Sequence, residues 1–163
     1  MKDSYLSREE LVKFIATLPT RRLAAGAVIR NEYGELLLVQ PNYKDGWILP
    51  GGTVEAGEAP KPGCFREVEE ELGLRLAPGR LLLVFHGLAR GVWGDSTYYM
   101  YDAGVIAKNT PVTLQTEELI TYEWVAPEQL QEYVNPGFAE RLHDCLRALR
   151  TGEVVEMSSD ERP

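Results

Sequence analysis

The chain has 163 residues, 44% of them hydrophobic, and a formal net charge of −8, which suits one domain with a sizeable core. The negative balance disfavours a broad nucleic-acid footprint, because such a face must be basic to displace phosphate counterions. Two cysteines, Cys64 and Cys145, are too few for a disulfide framework and read as reduced, half-buried helix residues; no apolar run reaches the roughly 18–20 residues of a membrane helix.

The start, Met1-Lys2-Asp3-Ser4, shows no signal-peptide pattern, so a cytoplasmic location is expected. Ser7 with Glu10 forms a capping box and predicts a helix to about Leu18, where Pro19 stops it. This makes residues 1–20 a helical extension. Leu23–Arg30 and Glu35–Gln40 read as two strands of a hairpin around the turn Asn31-Glu32-Tyr33-Gly34. A short strand is predicted at Trp47–Leu49, followed by a glycine- and proline-rich connection and a helix ending at Gly73. Further strands are expected at Arg80–Ala89, Thr97–Ala107 and Thr121–Ala126. Helices are expected at Pro127–Tyr133 and Phe138–Arg150, and residues 151–163 as a frayed polar tail. No repeat or second domain is visible, so 1–163 reads as one domain with a mixed sheet and helices.

The chemistry concentrates in the helix before Gly73. Phe65, Val68 and Leu72 make its apolar stripe. Glu67, Glu70 and Glu71 fall at i, i+3 and i+4 on another face, where like charges cost roughly 0.2–0.5 kcal/mol per pair. A divalent cation offsets that repulsion; otherwise the run is only a solvated acidic helix. Carboxylate oxygens without His or Cys nearby select Mg²⁺, or Mn²⁺, over zinc. Such a cluster suits phosphate chemistry, in which the metal neutralises charge and acidifies a bound water.

The same residues sit in a larger frame. Gly52, five residues, Glu58, seven residues, then Arg66-Glu67-Val68-Glu69-Glu70-Glu71-Leu72-Gly73-Leu74 resembles the signature of the Nudix hydrolases. The likeness is densest over residues 47–74. It extends more loosely from Arg22 to Tyr133, through Trp124-Val125 and the following Pro-x-x-Leu. The resemblance implies an α/β/α sandwich with a mixed sheet. It also implies a metal-dependent pyrophosphohydrolase acting on a small nucleotide-type substrate, such as a nucleoside triphosphate or nucleotide sugar. The alternative is a non-catalytic nucleotide-sensing or protein-binding module on the same fold. Carried over, Glu67, Glu70 and Glu71 are metal ligands, Gly52 offers its carbonyl, and Arg66 pairs with Glu58 to brace the acids. The general base is Glu67 or an acid outside the box; Glu118, six residues before Trp124, resembles that auxiliary acid better than Glu117. A homodimer is frequent in the family.

Two departures stand out. Pro62-Gly63 occupies the helix start where helix formers are usual, which predicts an irregular or delayed entry. The marks of ADP-ribose and dinucleoside polyphosphate subfamilies after Leu74 are missing, and the strand end near Gln40 lacks an arginine seen in some triphosphate-cleaning members. Substrate contacts are therefore unassigned. Tyr43, Trp47, Phe85, His86, Trp93, Tyr98, Tyr99 and Tyr101 include candidates for base stacking or plain packing. Asn135 is either a base-edge partner or the turn before Pro136.

Overall fold

Strand β1 (Arg22–Arg30) runs through the middle of a seven-stranded sheet in the computed structural model, which describes residues 5–159. The other strands of the sheet are β2 (Leu36–Pro41), β3 (Gly51–Thr53), β4 (Leu81–Gly87), β5 (Ser96–Val105), β6 (Leu119–Val125) and β7 (Val155–Ser158). The order is β6-β2-β1-β5-β4-β7, with β3 added beside β1. The pairs β1–β5 and β4–β7 are parallel and the rest antiparallel, so the sheet is mixed.

Alternation assigns the two faces. Ala25, Ala27 and Ile29 of β1 with Leu37 and Val39 of β2 pack under helix α2 (Pro60–Leu72), against Cys64, Phe65, Val68 and Leu72. Val28, Leu36 and Leu38 point the other way, to helix α3 (Pro136–Thr151) and its Phe138, Leu142 and Cys145. A helix thus covers each face, giving the expected α/β/α layering. Helix α1 (Arg8–Ala16) keeps its Ser7–Glu10 capping box but buries none of its residues.

The β1–β2 hairpin opens as soon as it forms. It has one register pair, Arg30 with Leu36, before β2 turns away to pair with β6. Strand β3 fills the fork, pairing Gly52 with Ala25 and Gly51 with Gly26. This corrects the expected strand at Trp47–Leu49: there Ile48 makes only an isolated bridge to Val39. The strand lies in the glycines because backbone must approach backbone closely. A Cβ on Gly51, whose φ is +146°, would lie 2.0 Å from the Ala25 carbonyl oxygen. Gly51→Ala is therefore expected to cost about 3 kcal/mol or more. A thermal melt checks this, and an unchanged midpoint would contradict it.

Four other expectations change. The tail is not frayed at 155–158, because Val155 and Met157 alternate inward with Glu156 outward and pair with β4; the last four residues lie outside the described range. Helix α2 enters without delay at Pro60, and Gly63 is buried inside it. The two free cysteines are fully buried rather than half-buried, and burial pushes the Cys64 thiol up to about 12. The segment at 127–132 is a 3₁₀ helix. Among the described residues no helix is long and apolar enough to cross a membrane.

Candidate active site

Helix α2 leaves the fork directly after β3, so its polar face looks onto Gly51 and Gly52. Glu67, Glu70 and Glu71 share that face but differ in depth: Glu71 is buried, Glu67 half-buried and Glu70 exposed. Glu71 accepts the Gly51 backbone N–H at 3.0 Å through Oε2. Glu67 lies flat against Gly52; a Cβ there would sit 2.9 Å from the Glu67 carboxyl carbon. Glycine at 52 is thus a matter of space, since it lets a carboxylate rest on the strand.

Arg66 binds the acids together. Its Nε donates to Glu58 Oε2 at 3.0 Å and its Nη2 to Glu58 Oε1 at 2.7 Å, a two-pronged grip. Its Nη1 reaches Glu67 Oε1 at 3.2 Å and Glu70 Oε2 at 3.1 Å, and Nη2 lies 3.7 Å from Glu55. Glu58 also accepts the Glu55 backbone N–H at 2.9 Å. The Arg66 guanidinium and that N–H hold the Glu58 carboxyl down at about 2. Gly63 belongs to the same brace: a Cβ would fall 2.7 Å from Glu58 Oε1. The residue that looked wrong for a helix start is the one that lets Glu58 lie across it.

Glu118 reaches the site through backbone connections. The Thr113 and Gln115 N–H groups donate to the Leu72 and Glu71 carbonyls, so the loop before β6 is tied to the end of α2. The Glu118 N–H donates to Gln115 O, and the Asn42 N–H to Glu118 O. Glu118 then adds to the field felt by Glu67 and Glu71. Tyr43 feels all three acids, which together with burial raise its phenol. Among the described residues Glu117 engages through its backbone carbonyl, which accepts the Asn42 side-chain N–H.

Burial is the main force on the inner acids. It pushes Glu71 up to about 8 and raises Glu67, with the neighbouring carboxylates adding to the effect. An acid buried beside other acids, in an all-oxygen donor set against a side-chain-free strand, is chemistry that fits a hard cation. As the side chains stand, Glu67 and Glu70 turn to Arg66 and Glu71 to Gly51. Among the described residues no three acid, His or Cys side chains converge closely enough to hold an ion.

Beside the acids lies a cavity of about 810 Å³, lined by Gly51 and Gly52 at one side and by Trp47, Phe85, Phe138 and Arg141 among others. Of the aromatic candidates, Tyr43, Trp47, Phe85, Trp93 and Tyr98 line it, as does Asn135. Tyr99 and Tyr101 stack on each other against the opposite cluster, and His86 pairs with Glu156 of β7. Sequence reasoning missed Tyr133, which meets Trp47 edge-on at 5.4 Å, and Arg141. Arg141 sits three residues from Phe138, beside the apolar stripe of α3, which was a usable signal.

The sequence matches the NUDIX domain over residues 20–147. The chain belongs to the NUDIX family. Its class is that of a Nudix-type hydrolase, and this Nudix chain shares the fold of solved relatives. It is 28% identical to the MutT protein of Methanosarcina mazei Go1, with a TM-score of 0.69 over 83% of this chain and 100% of that one. Among sequences, a MutT-like protein of Streptomyces ambofaciens is 28% identical over 131 residues, 78% of this chain and 79% of the relative. Nudix hydrolase 5 of Arabidopsis thaliana is 33% identical over 76% of this chain but only 42% of its own length. An 8-oxo-dGTP diphosphatase of Haemophilus influenzae is 42% identical over 32% of this chain and 41% of its own. The matched region thus spans less than half of the last two relatives.

Proposed function

We propose that this chain is a divalent-metal-dependent pyrophosphohydrolase that cuts a phosphoanhydride bond in a nucleoside triphosphate or nucleotide-sugar type substrate. The observation that carries the reading is the placement of Glu67 and Glu71 against the Gly51–Gly52 strand, with Glu70 on the same helix face and Arg66 gripping Glu58 behind them. The 8-oxo-dGTP diphosphatase and MutT-like names among the relatives support the same reaction class.

Glu67, Glu70 and Glu71, with the Gly52 carbonyl, would hold Mg²⁺ or Mn²⁺, which supplies charge neutralisation of the diphosphate and a more acidic water. Arg66 keeps Glu58 and the first turn of the helix fixed, so the acids need not be ordered afresh. Glu118 takes the proton of the attacking water at its carboxylate. Among the described residues no ion pair holds that carboxylate, whereas Glu67 is engaged by Arg66. The water adds to phosphorus, the bridging P–O bond breaks, and the phosphate-bearing product leaves.

A panel of nucleoside triphosphates and nucleotide sugars, incubated with Mg²⁺ in ¹⁸O-water and scored by product mass, identifies the substrate and the phosphorus attacked. Absence of turnover across the panel with Mg²⁺ and Mn²⁺ would falsify the reading. Glu118→Gln is expected to lower kcat about 10²–10⁴-fold with KM little changed. A loss below tenfold returns the base to Glu67.

A further inference from the structure

Strand β6 breaks step where it meets the loop that carries Glu118. Opposite β2, Thr121 pairs with Gln40 but Leu119 pairs with Pro41, so Ile120 is an extra residue on β6. Proline has no N–H to give the ladder, which suits it to such a break. The strand changes phase in consequence. Tyr122 and Trp124 lie with the cluster under α2, and so does Leu119, where unbroken alternation would have sent Ile120. Ile120 is left more than half exposed while Leu119 is buried. Leu119 thereby seats the preceding turn beside α2.

Strand alternation stops at Leu119, so other contacts must aim Glu118. Its Cα lies between two peptide units, and each unit is held at both ends. In the first, the Glu117 carbonyl accepts the Asn42 Nδ2–H at 2.7 Å, and the Glu118 N–H donates to the Gln115 carbonyl at 3.2 Å. In the second, the Glu118 carbonyl accepts the Asn42 backbone N–H at 2.8 Å, and the Leu119 N–H donates to the same Gln115 carbonyl at 2.9 Å. Gln115 is tied in turn to the helix of acids, its own N–H donating to the Glu71 carbonyl at 2.9 Å. Peptide units are planar, so two fixed planes fix the Cα–Cβ bond that springs from between them.

We infer that Asn42 is a positioning residue: it holds both peptide units around Glu118 and so aims that carboxylate at the acids of α2, taking no part in bond breaking itself. This rests on Glu118 being the base of the reaction proposed above. The side-chain amide is what the first unit depends on, because any residue at 42 other than proline keeps the backbone N–H that serves the second. Asn42 and Glu118 are both exposed, so the side-chain bond adds little to the stability of the fold. Its effect is on direction, and a misdirected base loses rate rather than substrate affinity.

A double-mutant cycle with Glu118→Gln tests this, using the panel compound that the native protein turns over fastest at saturating Mg²⁺. Asn42→Ala is expected to lower kcat about 3- to 10-fold, the worth of one hydrogen bond, with KM within about 1.5-fold of native. In the Glu118→Gln background the same substitution should change kcat by less than about 1.5-fold, because no base is left to aim. Amide hydrogen exchange reads the clamp without the reaction. In Asn42→Ala the Glu118 amide should exchange about 3- to 10-fold faster, while the amides of Val68 and Leu72 in α2 keep their native rates. A native kcat in Asn42→Ala, an equal fall in both backgrounds, or native exchange at Glu118 overturns the inference and leaves the reaction and its base standing. Absence of turnover across the panel, or Glu118→Gln within about tenfold of native, removes the reaction or its base and the inference with it.

Discussion

Glu71→Gln is expected to make the metal-free protein more stable at pH 8 and to leave it without measurable turnover. The two effects have one cause. Burial holds the Glu71 carboxyl protonated up to about pH 8, against an ordinary value of 4.5. Between those values the folded chain keeps a proton that the unfolded chain has released. Stability therefore falls as pH rises through that window, because folding must either retain the proton or bury the charge. Glutamine removes this cost and can still accept the Gly51 N–H through its carbonyl oxygen. At pH 5 in EDTA the two proteins should melt alike. At pH 8 the variant should lead by roughly 2–3 kcal/mol, after a discount for its amide hydrogens losing water. Added Mg²⁺ should raise the melting temperature of the native protein and not that of the variant. If the native protein were the more stable one in EDTA at pH 8, Glu71 would be ionised by some other means and the account of the site would be wrong.

Glu70→Gln tests the outer side of the cluster, where stability is not at stake. Glu70 is exposed, and its one strong contact is with Arg66 Nη1 at 3.1 Å. Loss of that contact alone should cost little, as exposed helical pairs are worth about 0.3–0.5 kcal/mol. Turnover should nevertheless fall about 10²–10³-fold, since a neutral amide cannot share in holding a dication against a diphosphate. Steady-state kinetics over a Mg²⁺ titration, beside a thermal melt, separates the two. A large drop in melting temperature, or turnover within tenfold of native at saturating Mg²⁺, would show Glu70 to be an ordinary surface acid.

Much of this was legible in the residues because the signals were local. The capping box at Ser7, the apolar stripe of Phe65, Val68 and Leu72, and the αL glycine at Gly73 each specify structure within one or two turns. What escaped was set by distant partners. Gly51–Gly52 forms a strand only because β1 stands beside it. Val155–Ser158 looked too polar and too near the end, yet two inward side chains and the open edge of β4 suffice to order it. Gly63 read as a flaw in a helix until the Glu58 carboxylate was seen lying over it. The aromatic residues could not be sorted from sequence at all, because membership of one wall or the other depends on strand register: Tyr98 faces the cavity, while Tyr99 lies against the opposite cluster.

The fork between β1 and β2 has an evolutionary corollary. Gly51 and Gly52 touch the acids of α2 and also line the cavity, so a partition one backbone thick divides the carboxylates from the cavity. Part of the cavity wall comes from Phe138 and Arg141 of α3 and Phe85 of β4, elements that supply none of the carboxylates. On the proposed reading, substitutions in those two elements would change which molecule is accepted and leave the carboxylates of α2 untouched.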